Sequence, residues 1–300
     1  MSSRTRGRLR GAAVALALGA AVAVAGSVAV QPVAPAIVTV DAVSVRVGEP
    51  VRIHYRVAAE TFGDLYLPSH GSGPYPVVVL IHGGGWAQSR DLTQFDRQSK
   101  VLAEQGVAVW NVEYRRVNGA GGWPTTLTDV DDAVGALGTV VQWRSGNRLD
   151  LGRVHLAGHS AGGHLAAWVA GRPARTDGIR IRSLTVMAAV LDPQLAATAG
   201  HDVFVQRLLG GTPAEVPDRY RFASPIDHLP AGLTITALHG DRDHVVAVDQ
   251  SRRYIAAASA SNATDLRILP GIGHAEFVDP ASSAWAATES AILDHVARLS

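Results

Sequence analysis

Residues 154–163 read Val-His-Leu-Ala-Gly-His-Ser-Ala-Gly-Gly, and this stretch decides the fold class. The apolar residues before Gly158 predict a buried strand, and residues 161–170 predict a helix. A strand that passes into a helix at Gly-x-Ser-x-Gly needs a sharp turn, with glycines on both sides because a Cβ would collide with the neighbouring strand and helix. We expect the turn to project the Oγ of Ser160 above the sheet and to aim the N–H of Ala161 at an oxyanion formed there.

On both sides of this stretch, short apolar runs alternate with helical segments. Strands are predicted at residues 63–68, 77–81, 107–112, 154–157, 183–190, 233–238 and 265–269. Helices are predicted at residues 92–105, 127–144, 161–170, 247–260 and 282–298. Such alternation is typical of an α/β fold, with a mostly parallel, doubly wound sheet. Residues 192–230 interrupt the pattern and are predicted to form a small helical insertion over the strand ends.

Two further segments with alternating apolar residues, 37–47 and 51–57, come before the buried runs and are separated by Gly48-Glu49-Pro50. This pattern predicts two half-exposed antiparallel strands joined by a tight turn. We expect them to extend one edge of the sheet. Because no linker follows, residues 37–300 are predicted to be one domain.

The first 30 residues have the composition of a targeting segment. Four arginines lie between Arg4 and Arg10, an apolar run follows from Ala12 to Ala25, and Ala23-Val24-Ala25-Gly26 resembles a cleavage site. This order predicts a secretory signal in residues 1–30. The alternative is an uncleaved anchor in residues 11–30, which would also place the remaining chain outside the cytoplasm.

Composition excludes several classes of protein. The chain has 300 residues, of which 47% are apolar, so it can bury a large core and is neither disordered nor fibrous. Its formal net charge is +1 and becomes −3 without the four N-terminal arginines, which leaves no basic footprint for nucleic acid. It has no cysteine, which excludes disulfides, a thiol nucleophile and cysteine-ligated metal.

Other polar or glycine-rich stretches also follow predicted strands, where ligands bind in parallel sheets. His82-Gly83-Gly84-Gly85-Trp86 follows residues 77–81. We expect the N–H groups of Gly84 and Gly85 to complete an oxyanion hole with that of Ala161, and His82 to fix the loop.

A serine nucleophile needs a base and an acid that orients the base. His274 follows the last predicted strand, and Asp243 lies in His-Gly-Asp-Arg-Asp-His-Val-Val after the strand at 233–238. The order Ser160, Asp243, His274 predicts the triad. Asp241 is the alternative acid, and Asp192 is a third candidate.

These motifs resemble the α/β-hydrolase fold, and within it the HGGG-bearing, hormone-sensitive-lipase-like esterases with the related BD-FAE and kynurenine formamidase-like group. The resemblance covers about residues 60 to 300. It depends on the following segments: 82–86, 114–115, 158–163, 224–226, 239–246 and 273–274. One departure is that the region before residue 60 predicts strands and not the helical cap of the lipase-like members.

The resemblance implies a catalytic domain that hydrolyses a small-molecule ester through an acyl-enzyme on Ser160, with His274 as base and Asp243 as orienting acid. Trp86 and His159 are candidates for the substrate pocket. No cofactor, metal or nucleic-acid partner is expected, and contact with a membrane is expected only through an uncleaved anchor. An arylformamidase-type amidase and a non-catalytic, hydrolase-like binding protein are the alternatives; the oligomeric state stays open.

Overall fold

The computed structural model describes residues 49–200 and 202–298. The predicted signal or anchor and the predicted strand at residues 37–47 lie outside the described residues. Eight strands occur in the described part of the chain. They are β1 (Val51–His54), β2 (Phe62–Tyr66), β3 (Tyr75–Ile81), β4 (Ala108–Val112), β5 (Leu149–His159), β6 (Ile181–Met187), β7 (Thr234–Gly240) and β8 (Ala263–Leu269).

The strands form one sheet in the order β1-β2-β4-β3-β5-β6-β7-β8. β2 pairs antiparallel with both β1 and β4, and every pairing from β4 to β8 is parallel. The prediction of a mostly parallel sheet with an antiparallel N-terminal edge is therefore confirmed.

The α-helices of the described residues lie between and after the strands. They are α1 (Asp96–Glu104), α2 (Thr125–Gly135), α3 (Val140–Arg144), α4 (Ala161–Ala170), α5 (Pro193–Thr198), α6 (Val203–Leu209), α7 (Pro217–Ala223), α8 (Asp249–Ala258) and α9 (Ser283–Ala297). α5, α6 and α7 form the predicted helical insertion between β6 and β7.

Apolar side chains of the central strands alternate between the two faces of the sheet, because successive residues of a strand point to opposite sides. Val77 and Val79 of β3 pack into the cluster that includes α2, α4 and α8. Val78 and Leu80 pack into the cluster that includes α1 and α9. Both faces are thus covered by helices, which explains why β3 reads as a continuous apolar run.

The structure corrects one predicted helix. Residues 127–144 are not one helix: α2 ends at Gly135, a 3₁₀ turn spans Ala136–Gly138, and α3 begins at Val140. Thr139 between them has φ −130° and ψ −104°, which no helix contains. Gly135 and Gly138 have low helix propensity, which accounts for the break.

Some element ends also differ from the predictions. β1 ends at His54 instead of residue 57, and β6 ends at Met187 instead of residue 190. β1 pairs with β2 among the described residues. No helix in residues 49–200 and 202–298 is both long and apolar enough to cross a bilayer.

Candidate active site

Ser160 occupies the turn between β5 and α4. Its φ is +53° and its ψ is −119°, a strained conformation for a residue with a side chain. The turn is held by a hydrogen bond from the Ser160 N–H to the carbonyl of Met187, 2.8 Å, and by one from the His164 N–H to the carbonyl of Ser160, 3.0 Å. Because α4 begins at Ala161, Ser160 lies at the positive end of this helix.

The glycines around Ser160 allow backbone segments to approach closely. A Cβ on Gly158 would lie 2.4 Å from the carbonyl oxygen of Gly162, at the start of α4. A Cβ on Gly162 would lie 2.1 Å from the carbonyl oxygen of Ile81, at the end of β3. Both positions therefore exclude a side chain, for the reason expected from the sequence.

His274 and Asp243 are in direct contact. Nδ1 of His274 lies 2.7 Å from Oδ2 of Asp243, and the Asp243 side chain is fully buried. A carboxylate can only accept, so the Nδ1–H of His274 donates and its Nε2 is left to act as a base. In serine hydrolases an acid orients the base through a contact of this geometry.

Asp243 has further donors around its carboxylate. Oδ1 accepts hydrogen bonds from the N–H groups of Val245, 2.8 Å, and Val246, 2.9 Å. Oδ2 also lies 3.3 Å from Nε2 of His239. Burial opposes the charged form, but the hydrogen bonds from His239 and His274, the charge of His274 and the Val246 N–H hold the pKa of Asp243 well below its usual range. The carboxylate is thus ionised at neutral pH.

The sequence did not assign a role to His239. Its side chain is buried; its Nε2 donates to the carbonyl of Val246, 2.9 Å, and its Nδ1 accepts from the Ser251 hydroxyl, 2.8 Å. It therefore holds the loop that carries Asp243. The only signal for it was its place at the head of His-Gly-x-x-Asp.

The two alternative candidates for the orienting acid, Asp241 and Asp192, bond to groups other than His274. Oδ1 of Asp241 accepts the N–H of Gly271, 2.7 Å. Asp192 caps α5 through the N–H of Leu195, 2.9 Å, and pairs with Arg253 at 3.2 Å. Of the three carboxylates, Asp243 is the one in contact with His274.

The glycine loop after β3 has a conformation that requires glycine. Gly84 has φ +103° and Gly85 has φ +64°. The N–H of the preceding Gly83 donates to Oε1 of Gln94, 2.8 Å. This bond ties the loop to the 3₁₀ turn Leu92–Phe95, and no motif in the sequence indicated it.

A buried charge network lies under the glycine loop. Oε1 of Glu113 is 3.1 Å from Nε2 of His82 and 2.7 Å from Nη1 of Arg116. Burial alone would raise the pKa of Glu113, but the hydrogen bond and charge of His82, together with Arg116, lower it. Tyr114 stacks on His82 at 4.4 Å between ring centroids and donates its hydroxyl to the His82 carbonyl, 2.9 Å. His82 is thus a loop-fixing residue, and Glu113 is its partner, which sequence reasoning missed.

One cavity of about 640 Å³ brings the predicted site residues together. Its lining includes Gly84, Gly85, Trp86, His159, Ser160 and His274. Apolar lining comes from α6 and the loop after β7, which contribute the exposed side chains of Phe204 and Val245. A Cβ on Gly85 would lie 2.9 Å from the Phe204 ring, so that ring covers the glycine loop. A concave, partly apolar cavity of this size suits a small organic substrate.

Trp86 and His159, the candidates for the substrate pocket, both line this cavity. Trp86 is almost fully buried, has φ +54°, and packs edge-on against His164 at 5.2 Å between ring centroids. The side chain of His159 is hydrogen-bonded to the protein: its Nε2 lies 3.0 Å from the carbonyl oxygen of His274.

Within 49–200 and 202–298, no group of three or more His, Asp or Glu side chains is arranged to hold a metal ion. The residues around Ser160 bond to backbone groups and to one another.

The chain is similar in sequence to a known protein family and to several known enzymes. The BD-FAE family model matches residues 63–257. Esterase LipC of Mycobacterium tuberculosis is 29% identical over 218 residues, which are 67% of this chain and 53% of that protein. Kynurenine formamidase of Danio rerio is 35% identical over 107 residues, 35% of this chain and 33% of that protein. The chain thus spans about half or less of these relatives' length.

A solved structure supports the fold. The chain superposes on the Est2 esterase of Thermogutta terrifontis with a TM-score of 0.67 and 20% identity, over 84% of this chain and 92% of that one. Together with the sheet order and the turn at Ser160, the match to the family model over most of the described residues establishes the family. The chain belongs to the BD-FAE family and has the α/β-hydrolase fold.

Proposed function

We propose that this protein is a serine hydrolase that cleaves carboxylic esters with a short or medium acyl or aryl group. The observation that carries the proposal is the 2.7 Å contact between His274 and the ionised Asp243, beside a cavity that Ser160 also lines. Esterase LipC, a relative named for ester hydrolysis, supports the same reaction class.

In the proposed reaction, Oγ of Ser160 attacks the ester carbonyl while Nε2 of His274 takes the hydroxyl proton. Asp243 stays ionised and stabilises the imidazolium. The carbonyl oxygen becomes an oxyanion, which accepts hydrogen bonds from the N–H groups of Gly84, Gly85 and Ala161. The C–O bond then breaks, the alcohol leaves with the proton from His274, and an acyl-enzyme remains.

Water completes the cycle by the same chemistry. His274 takes a proton from water as the hydroxide adds to the acyl carbonyl. The C–O bond to Ser160 then breaks, His274 returns its proton to Oγ of Ser160, and the carboxylic acid leaves. The reaction consumes one ester and one water and needs no electron acceptor. The positive end of α4 favours the negative charge that develops in both halves.

The test is hydrolysis of p-nitrophenyl acetate by Ser160→Ala, with Ser259→Ala as the matched control. Ser259 directly follows α8, and its hydroxyl donates to the carbonyl of Ala256, 2.9 Å. We expect activity to disappear in the first variant and to stay at the wild-type level in the second. Full activity of Ser160→Ala would overturn the proposal.

An amidase of the formamidase kind is the second candidate, because kynurenine formamidase of Danio rerio aligns with part of this chain. The triad would be the same, and the leaving group would be an amine. Comparing kcat/KM for N-formylkynurenine and for p-nitrophenyl esters separates the two: a clear preference for the ester supports the first candidate. A non-catalytic binding protein would not react with a fluorophosphonate probe, which we expect to label Ser160.

We further propose that residues 1–30 direct export of the chain and that residues 37–300 act outside the cytoplasm. The basic and then apolar order of this segment supports the proposal. The intact mass of the labelled, exported protein identifies the mature N-terminus. A mass that includes residues 1–30 would support an anchor, and retention of all protein in the cytoplasm would contradict export.

A further inference from the structure

His159 immediately precedes Ser160 and closes β5. Its side chain is buried, and its Nε2 lies 3.0 Å from the backbone carbonyl oxygen of His274. Because a carbonyl oxygen only accepts, Nε2 carries the hydrogen and donates it. Residues 159 and 274 are far apart in sequence, so this bond links the turn that carries Ser160 to the loop that carries His274.

The ring of His159 also lies close to the His274 ring and to the glycine loop. The centroids of the two histidine rings are 4.6 Å apart. A Cβ on Gly83 would lie 2.9 Å from Nδ1 of His159. One side chain therefore touches the serine turn, the loop of the base and the glycine loop.

The environment keeps this ring neutral. Burial, and to a smaller extent repulsion from His274, lowers the pKa of His159 to about 3. The hydrogen bond to the His274 carbonyl and the charge of Asp243 raise this pKa, but by less. The neutral form matters because His274 gains a proton in the proposed reaction. A second positive charge on the neighbouring ring would oppose that protonation.

We propose that His159 is a positioning residue for His274, whose Nε2–H anchors the His274 backbone and whose ring fixes the imidazole beside the cavity. The proposal rests on the proposed function, because it assigns His274 the role of base. It also changes the interpretation of His159 from the sequence: the residue lines the cavity, but its hydrogen bond goes to the protein.

Three substitutions at residue 159 separate a hydrogen-bonding role from a space-filling role. In His159→Gln the side-chain NH₂ lies at about the position of Nε2 and can donate to the His274 carbonyl. In His159→Asn the NH₂ lies at about the position of Nδ1 and does not reach that carbonyl. His159→Leu fills space without a donor. We expect kcat for p-nitrophenyl acetate to fall roughly 10²-fold in the Asn and Leu variants, since a 1 Å misplacement costs about that much.

The expected pattern includes a rescue. His159→Gln should recover most of the lost kcat, and KM should stay within about twofold of the wild type in all three variants, because the ester binds before the proton moves. His155→Asn is the matched control: His155 is another buried histidine of β5, whose Nδ1 bonds the Ser183 hydroxyl at 2.7 Å. Its kcat should not change.

The outcomes distinguish failure of this proposal from failure of the proposed function. If Ser160→Ala is inactive but His159→Asn and His159→Leu keep the wild-type kcat, the positioning role is wrong and the proposed function stands. Equal losses in the Gln and Asn variants would also overturn it. If Ser160→Ala remains active, the proposed function itself is wrong. Near-UV circular dichroism of each variant shows that it is folded, and the Gln–Asn pair carries the test should the Leu variant not fold.

Discussion

Oε1 of Glu113 lies 3.1 Å from Nε2 of His82, and neither side chain is more than 2% exposed. His82 begins the glycine loop, and Glu113 directly follows β4, so this contact fastens the loop to the neighbouring strand. Glu113 also accepts the N–H groups of Tyr114, 2.9 Å, and Leu92, 3.2 Å. One buried carboxylate thus sets the position of the loop that holds Gly84 and Gly85.

Replacing this carboxylate should weaken both the fold and the activity. Glu113→Gln removes the charge that pairs with the buried guanidinium of Arg116 at 2.7 Å, while Glu60 remains 3.1 Å from that guanidinium, and weakening a buried charged hydrogen bond in this way costs about 1–3 kcal/mol. We expect urea denaturation to show that loss and kcat to fall with it. Glu104→Gln, at the exposed end of α1, is the control. An unchanged free energy of unfolding in Glu113→Gln would show that the network does not support the loop.

The two neighbouring carboxylates after β7 should differ sharply in their effect on catalysis. In Asp243→Asn the amide can no longer hold the Nδ1–H tautomer of His274, and kcat should fall by roughly 10⁴-fold. Asp241→Asn keeps an oxygen that can accept the Gly271 N–H, so its kcat should match the wild type. Steady-state kinetics with p-nitrophenyl acetate measure both. A larger loss in Asp241→Asn would make Asp241 the orienting acid.

Stability should fall between about pH 6.5 and pH 4. Burial lowers the pKa of His159 to about 3 and of His164 and His295 to about 4, and it also lowers the pKa of His155. In the unfolded chain each of these four histidines takes up a proton near pH 6.5, the ordinary pKa of histidine. In the folded chain each stays neutral to a lower pH. The stabilisation is therefore complete above pH 6.5 and is lost as the pH falls towards the folded pKa values.

Urea denaturation at half-unit steps from pH 7.5 to pH 4.5 measures this dependence. Each histidine contributes a slope of up to about 1.4 kcal/mol per pH unit. His155→Asn should show a shallower slope than the wild type. The lowered pKa values of Asp243 and Glu113 also reduce stability as the pH falls, but only once the pH is below the ordinary pKa of a carboxyl group, near 4. The histidines therefore account for the loss of stability above pH 4.5. Constant stability from pH 7 to pH 5 would refute the interpretation.

Gly162 should tolerate no side chain. In Gly162→Ala the new Cβ would lie 2.1 Å from the carbonyl oxygen of Ile81 and 2.3 Å from that of His82, and both are backbone atoms that cannot move independently. We expect a loss of about 3 kcal/mol or more. Gly152→Ala, whose nearest contact is the end of the Asp150 side chain at 3.2 Å, is the control. Thermal melting of both proteins tests this, and equal melting temperatures would contradict the close packing at Gly162.

Most of the sheet could be predicted because its signals are local. The continuous apolar run of residues 77–81 and the Gly-x-Ser-x-Gly turn reflect burial on two faces and close backbone approach, both visible within about ten residues of sequence. The helix predicted at 127–144 was wrong because apolar periodicity continues through Gly135 and Gly138, where the backbone leaves the helix. The predicted segment at 37–47 was not tested.

By itself, the sequence determined the α/β class, the position of Ser160 at a strand–helix turn and the candidates His274, Asp243, Gly84 and Gly85. Only the tertiary structure decided which carboxylate meets His274, that His239 supports it, and that Glu113 and Gln94 hold the glycine loop. The physical reason is the range of the interactions. Backbone patterns are set by neighbours along the chain. A hydrogen bond between residues 159 and 274 exists only after folding, when the loop that follows β8 reaches the end of β5, although β6 and β7 lie between these two strands.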